Sequence, residues 1–223
     1  MSIELKKRII TSILLLILLL TMYLYSFIMI SALIVMAIII WIEFYALISK
    51  IVRSNNFRGI FFRFIFKSIS LLYLFLFIYF IFVIESYYPS LKIFLLYSVL
   101  VSILSDIGGL VCGKTFKGKK LTKISPNKTV SGSIGSFFFS LFLIPIFYEK
   151  LIIIDLAILT MITILISLIS QLGDLFISLL KRKAKVKDTS DLLPGHGGLL
   201  DRLDGIIFAA PAGIFLLYFI NLI

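Results

Sequence analysis

The chain has 223 residues, 61% of them apolar and 15% aromatic, with a mean hydropathy of +1.16 and a formal net charge of +11. Its 22 basic and 11 acidic residues are bunched into a few short stretches and cannot coat a domain of this size, which excludes a soluble globular protein. One cysteine, Cys112, and one histidine, His196, exclude a disulfide framework, a zinc site of four Cys or of two Cys and two His, and a haem with two histidine ligands. Any metal is expected on oxygen.

Lys6, Lys7 and Arg8 followed by an apolar run have the look of a signal peptide, but no charge interrupts the run before Glu43. That is about twice the apolar core of such a leader. The run reads as two membrane helices over about 9–25 and 27–48, turning near Tyr25 and Ser26. Residues 50–67 carry Arg53, Arg58 and Arg63 among Phe61, Phe62, Phe64 and Phe66, a pattern that predicts a segment lying along the membrane surface. Further spans are expected over about 68–84, 93–112, 132–148, 151–180 and 205–223. Each is near or above the roughly 20 residues that cross about 30 Å of hydrocarbon. The expected fold is therefore all-α, a polytopic integral membrane protein of about seven transmembrane helices. With no linker rich in Pro, Gly or Ser and no internal repeat, residues 1–223 read as a single membrane domain, 1–100 as scaffold helices and 101–223 as catalytic helices and cytoplasmic loops.

Charge gives the orientation. Three Lys and Arg lie in the N-terminal segment, five in 50–67, six in 114–128 and six in 181–202, so alternating spans put 20 of the 22 on one side and only Lys92 and Lys150 on the other. The positive-inside rule then predicts a cytoplasmic N-terminus.

Eight of the eleven acids lie between residues 105 and 204, so any chemistry is expected there. Asp106, followed by Gly108, Gly109 and Gly113, and Asp174, preceded by Gln171 and Gly173, both fall within apolar spans. An Asp at a helix centre costs roughly 2.5–3.5 kcal/mol, so it is expected to face a polar cavity, an ion or a basic partner. Asp155, near the outer end of its helix, can reach water. Asp174, Ser178 and Lys181, spaced i, i+4 and i+7, put an acid, a hydroxyl and a base on one helix face. The basic run Lys181, Arg182, Lys183, Lys185 and Lys187 is, taken alone, an ordinary cytoplasmic helix end.

The stretch that follows, LPGHGGLLDRLDG, surrounds His196 with Gly195, Gly197 and Gly198 and then presents Asp201 and Asp204. Glycines admit a ligand close to the backbone, and the start of the next helix is expected to offer free N–H groups to a phosphate. Asp201 and Asp204 would share one face of the first turn of the last helix, where two carboxylates invite a cation, and Mg2+ suits hard oxygen ligands in the company of phosphates. A solvated acidic helix start is the plainer alternative. The loop 114–128 adds six Lys, which can hold anionic lipid without any catalysis. Acids that want a divalent cation and bases that want polyanions, at one membrane face, suggest a site joining a phosphorylated lipid to a nucleotide.

Residues 178–204, SLLKRKAKVKDTSDLLPGHGGLLDRLD, resemble the signature of the phosphatidate cytidylyltransferase (CDP-diacylglycerol synthase) family. The resemblance rests on Ser178, Lys181, Arg182, Lys187, Asp188, Ser190, Pro194, His196, Gly197, Gly198, Asp201, Arg202 and Asp204. Gln171 to Leu175 resemble the family's preceding segment, Ser125-Pro126 with Lys128-Thr129 and Gly132 its cytoplasmic-loop motif, and Asp106 with Gly108 and Gly113 a third motif. Relatives commonly carry Glu in place of Ile177 and Trp-Glu in place of Val130-Ser131, and often have more spans. The resemblance implies conversion of CTP and phosphatidic acid to CDP-diacylglycerol and pyrophosphate at the cytoplasmic face of the cell (inner) membrane, with the bilayer as partner and no nucleic acid. It implies Mg2+ on Asp174, Asp201 and Asp204, and a second, monovalent cation, for which Asp106 is a candidate, as it is for CTP. Lys181, Arg182, Lys187, Arg202, Lys128 and the Gly197-Gly198 turn would hold phosphates, and His196 would bond a phosphate or orient a ligand. Ser125, Thr129, Ser178 and Asp188 complete the expected substrate contacts. A homodimer is a family-level expectation. Gly132, Ser133, Gly135 and Ser136 would allow close helix contact between chains, but equally within one. The alternatives are a CTP-dependent polyprenol or lipid kinase, which would release CDP, and an ion-coupled transporter using the same intramembrane acids.

Overall fold

The computed structural model describes residues 3–54, 56–122, 125–151, 155–194 and 197–221, and their side chains from 10 to 220. Among these residues the named elements are all helices: α1 (Ile3–Leu24), α2 (Ser26–Ile51), α3 (Phe57–Tyr87), α4 (Lys92–Phe116), α5 (Val130–Leu141), α6 (Ile144–Phe147), α7 (Leu156–Lys183), α8 (Leu200–Leu203) and α9 (Ile206–Asn221), with two short 3-10 turns. Five helical stretches are long and apolar enough to span a membrane, and the shorter apolar helices Ile10–Leu24 and Ile206–Ile220 stand where the first and last spans were expected. The protein is an all-α polytopic membrane protein.

Two elements differ from expectation. Residues 50–67 do not form a separate surface segment: α2 runs to Ile51 and α3 starts at Phe57 and continues unbroken for 31 residues. At about 1.5 Å per residue, α3 is roughly 46 Å long, so one of its ends projects past about 30 Å of hydrocarbon. Nor do Asp201 and Asp204 share the first turn of the last helix: α8 is a single turn, and the helix is broken at Asp204 and Gly205 before α9.

The fold comprises two compact units, 1–89 with 180–203 and 90–179 with 204–223. The first unit therefore unites α1, α2 and α3 with the signature loop, across the expected division at residue 100. In it, Trp41 donates to the Lys67 carbonyl (3.2 Å), and the Lys67 ammonium lies over the Trp41 and Tyr45 rings, 4.9 and 4.7 Å from their centroids. Such stacking draws the ring faces toward a cation that would otherwise need water.

The second unit is held by backbone contact and buried hydroxyls. A Cβ built on Gly108 would lie 2.4 Å from the Gly135 carbonyl oxygen, so α4 and α5 touch backbone to backbone. Gly135 and Ser136 thus face α4 within one chain. Ser136 donates to the Ser105 carbonyl (2.7 Å), Ser105 bonds Ser167 (2.9 Å) and Ser102 bonds Ser170 (2.7 Å), tying α4 to α5 and α7. With the lipid tails as apolar as the side chains, close packing and such hydroxyl bonds are what join membrane helices.

Candidate active site

In the second unit the glycine-paired crossing of α4 and α5 and the hydroxyl ladder to α7 set the positions of three charged groups. Lys128 sits just before α5, whose N-cap Thr129 accepts from the Gly132 N–H (3.1 Å). Its backbone is fixed by a short paired turn: Leu121 donates to the Lys128 carbonyl (2.8 Å) and Lys128 to that of Ser125 (3.1 Å). From there the Lys128 ammonium forms an ion pair with Asp174 Oδ2. Ser178, one turn further along α7, donates to Asp174 Oδ1 (3.3 Å), while Asp106 on α4 is within electrostatic reach of both Asp174 and Lys128. Gln171, one turn before Asp174, accepts from Ser133 on α5 (2.5 Å), locking the same face of α7 against α5. Lys128 thus pairs with Asp174, with Asp106 at electrostatic range of both; Asp106 is exposed, while Asp174 and Lys128 are about a quarter exposed. Asp204, also in this unit, is buried, and its Oδ1 accepts from the Gly205 N–H (3.0 Å).

In the first unit the signature loop is built around Asp201. Its Oδ1 accepts from the Lys181 ammonium (2.7 Å), and its Oδ2 from the Thr189 N–H (2.7 Å) and the Gly198 N–H (3.0 Å), with the Thr189 hydroxyl, whose one proton also faces Glu43, 3.0 Å from the same oxygen. Burial pushes the Asp201 pKa up, but the Lys181 hydrogen bond, the two backbone N–H groups and the Lys181 charge outweigh it and hold the carboxyl below its ordinary value. Gly197 has φ +82°, and its carbonyl accepts from the Leu193 N–H (2.8 Å). Arg182, Lys187, Asp188 and Arg202 are exposed. His196 and its neighbour Gly195 lie outside the described residues.

The helix start does not offer free N–H groups to an external anion as expected. Leu199 and Leu200 donate their N–H to the two carboxylate oxygens of Glu43, on α2, at 3.0 and 2.8 Å, and the Gly198 N–H is taken by Asp201. The anion at that helix start belongs to the protein itself. Glu43 and Thr189 are the two residues that reading the sequence missed. The signal was there: Glu43 is the one acid between residues 9 and 84, deep in an apolar run, and such residues are rarely idle.

Among the described residues, no three of His, Cys, Asp and Glu group together as metal ligands. Asp106 and Asp174 do suit Mg2+, which commonly takes one or two carboxylates and completes its shell with water and substrate phosphates. Asp201 keeps one lone pair on Oδ1 once its four donors are counted. Ile177, one turn along α7 from Asp174, is buried.

A sequence profile of the cytidylyltransferase family matches residues 2–220. The phosphatidate cytidylyltransferase of Bacillus subtilis (strain 168) is 42% identical over 126 residues, 56% of this chain and 47% of that protein. That of Staphylococcus haemolyticus (strain JCSC1435) is 43% identical over 121 residues, 53% of this chain and 46% of the other, and that of Rickettsia bellii (strain RML369-C) is 44% identical over 124 residues, 52% of each. The matches span about half the length of these curated relatives. Since the profile runs along nearly the whole sequence, the chain belongs to the cytidylyltransferase family.

Proposed function

We propose that this protein transfers the cytidylyl group of CTP to phosphatidic acid, giving CDP-diacylglycerol and pyrophosphate. The observation that carries the reading is the cluster of Asp106, Asp174 and Ser178, in the C-terminal halves of the apolar helices α4 and α7, with Lys128, in a chain of this family. Two carboxylates and one ammonium leave a net negative charge on hard oxygens, which suits a divalent cation and its phosphate ligands.

Mg2+ held through Asp174, with Asp106 beside it, would neutralise and polarise the phosphates. Asp201, through its spare lone pair, and Asp204 are the further carboxylates that the family resemblance gives to the ion, and a second, monovalent cation would draw on Asp106. Lys128, Lys181, Arg182, Lys187 and Arg202 hold the phosphates of the two substrates, with Ser125, Thr129, Asp188, Gly197, Gly198 and His196 as the remaining contacts.

A phosphatidate oxygen attacks the α-phosphorus of CTP, a new P–O bond forms, the bond to the bridging oxygen of the β-phosphate breaks, and pyrophosphate leaves with that electron pair. The nucleophile is already an anion, so no proton has to be removed in this step. The side chains hold two polyanions in line against their mutual repulsion. The reaction takes place at the cytoplasmic face of the cell (inner) membrane, where the basic loops gather, and two copies of the chain form a homodimer.

Pyrophosphate release by the purified protein in detergent tests this, with CTP, Mg2+ and phosphatidic acid each omitted in turn. Release should need all three and fall by at least a hundredfold in Asp174→Asn, as loss of one preorganised electrostatic group costs about 10²–10³ in other active sites. CDP in place of pyrophosphate would replace the reading with a lipid kinase, and nucleotide-independent ion flux in liposomes would replace it with a transporter.

A further inference from the structure

We propose that Glu43 is a positioning residue: from the C-terminal third of the apolar helix α2, its carboxylate holds the signature loop in its working conformation. Glu43 is only 5% exposed, yet its two oxygens accept four donors from that loop. Oε1 takes the Ser190 hydroxyl (2.6 Å) and the Leu199 N–H (3.0 Å), and Oε2 takes the Thr189 hydroxyl (2.9 Å) and the Leu200 N–H (2.8 Å). One carboxylate thus grips the loop at both ends, before and after the glycine turn, and caps the single-turn helix α8.

The loop is shaped for this grip. A Cβ on Gly198 would lie 2.0 Å from the Thr189 hydroxyl and 2.7 and 2.8 Å from the Glu43 oxygens, so the missing side chain is what lets Glu43 in. The Thr189 hydroxyl stands between the two acids, 2.9 Å from Glu43 and 3.0 Å from Asp201, and its single proton is divided between the α2 carboxylate and the one that meets Lys181. Movement of Glu43 is therefore passed directly to Asp201 and Lys181, which the proposed cytidylyl transfer uses. Glu43 touches no reacting atom and acts only through these loop groups.

The inference rests on the cytidylyl-transfer reading for its catalytic consequence, though not for the anchor. Glutamine keeps the length of Glu43 but turns an NH2 group toward either the Leu199 or the Leu200 N–H, leaving a buried donor facing a donor. Aspartate keeps the charge and all acceptors but is one methylene short.

Two readouts on the intact protein in detergent test this: steady-state pyrophosphate release, and the rate of tryptic cleavage after the exposed Lys185 and Lys187, compared with cleavage after Lys117 and Lys119 in the other unit. Glu43→Gln should lower kcat roughly tenfold or more, as misplaced catalytic groups do, and speed cleavage in the signature loop alone. Glu43→Asp should recover part of both, and Ser190→Ala, which removes one donor and leaves the acid in place, should show the same pattern more weakly. Wild-type kcat or an unchanged loop cleavage rate in Glu43→Gln would overturn the proposal. So would faster cleavage at all four lysines in both Glu43→Gln and Ser190→Ala, which would make Glu43 a residue of the fold at large. A wild-type protein that releases no pyrophosphate would sink the cytidylyl-transfer reading, while the cleavage comparison would still decide the anchor.

Discussion

Replacing Asp201 by Asn separates a loop-building role from a metal-binding one. In its best orientation the amide oxygen keeps the Thr189 and Gly198 donors, while the amide NH2 faces the Lys181 ammonium, which is 14% exposed and 2.7 Å away. One hydrogen bond between charged groups is lost, about 1.5–3 kcal/mol, and the remaining bonds lose their charge assistance. The expected cost is therefore about 2–4 kcal/mol, or roughly 5–15 °C in apparent Tm for a chain of this length. The assay is thermal unfolding in detergent, with and without millimolar Mg2+. Most of the drop should already be present without Mg2+, because Lys181 and the loop N–H groups do the holding, and any widening with Mg2+ measures the ion's share through the spare lone pair. Adding Lys181→Met to Asp201→Asn should recover part of the loss, since no unpaired buried charge is then left behind. A cost seen only with Mg2+, or strictly additive losses in the double variant, would refute the reasoning.

Three further outcomes can be checked. Stability should follow the depressed Asp201 pKa: its contribution is complete above the ordinary carboxyl value of about 3.8 and is lost as pH falls through the lower folded value, so the Tm gap between wild type and Asp201→Asn should stay flat from about pH 5 to 8 and narrow below about pH 4. Lys128→Met should lower kcat by at least tenfold, yet reduce the Mg2+ concentration needed for half-maximal rate, because the ammonium no longer competes for Asp174; an unchanged Mg2+ requirement would contradict the ion pair. Gly108→Ala should destabilise by about 1–3 kcal/mol in the same thermal assay, since its Cβ meets the Gly135 carbonyl at 2.4 Å, and wild-type stability would mean that α4 and α5 do not touch there.

Much of this was legible in the sequence because the bilayer imposes a coarse code. Apolar runs located the spans, and the cost of burying a charge pointed to Asp106 and Asp174, which the fold does bring near Lys128. The continuity of α3 was not legible, because basic and aromatic residues alternating over 57–67 suit a helix lying on a membrane as well as one projecting from it. Nor was the break at Asp204 and Gly205, where a Cβ on Gly205 would strike Ser170 Oγ at 2.5 Å: the glycine answers a neighbour distant in sequence. Glu43 shows the same limit most clearly. Its cost could be read locally, but its four donors lie about 150 positions downstream, beyond any pattern a short window holds.

That separation has a consequence for biogenesis. Thr189 and Leu200 are 146 and 157 residues later in the chain than Glu43, so at about 5–20 residues per second a ribosome takes on the order of 10–30 s to supply them. Through that interval α2 has a carboxylate in an apolar helix with none of its final donors made. The apolar length of α2 can carry that cost through insertion, but the carboxylate gains its donors, and the helix its full anchoring, only when the signature loop arrives. A nascent chain stalled before residue 189 should hold α2 less firmly than one stalled after residue 200, which makes the glycine loop a late lock on an early helix.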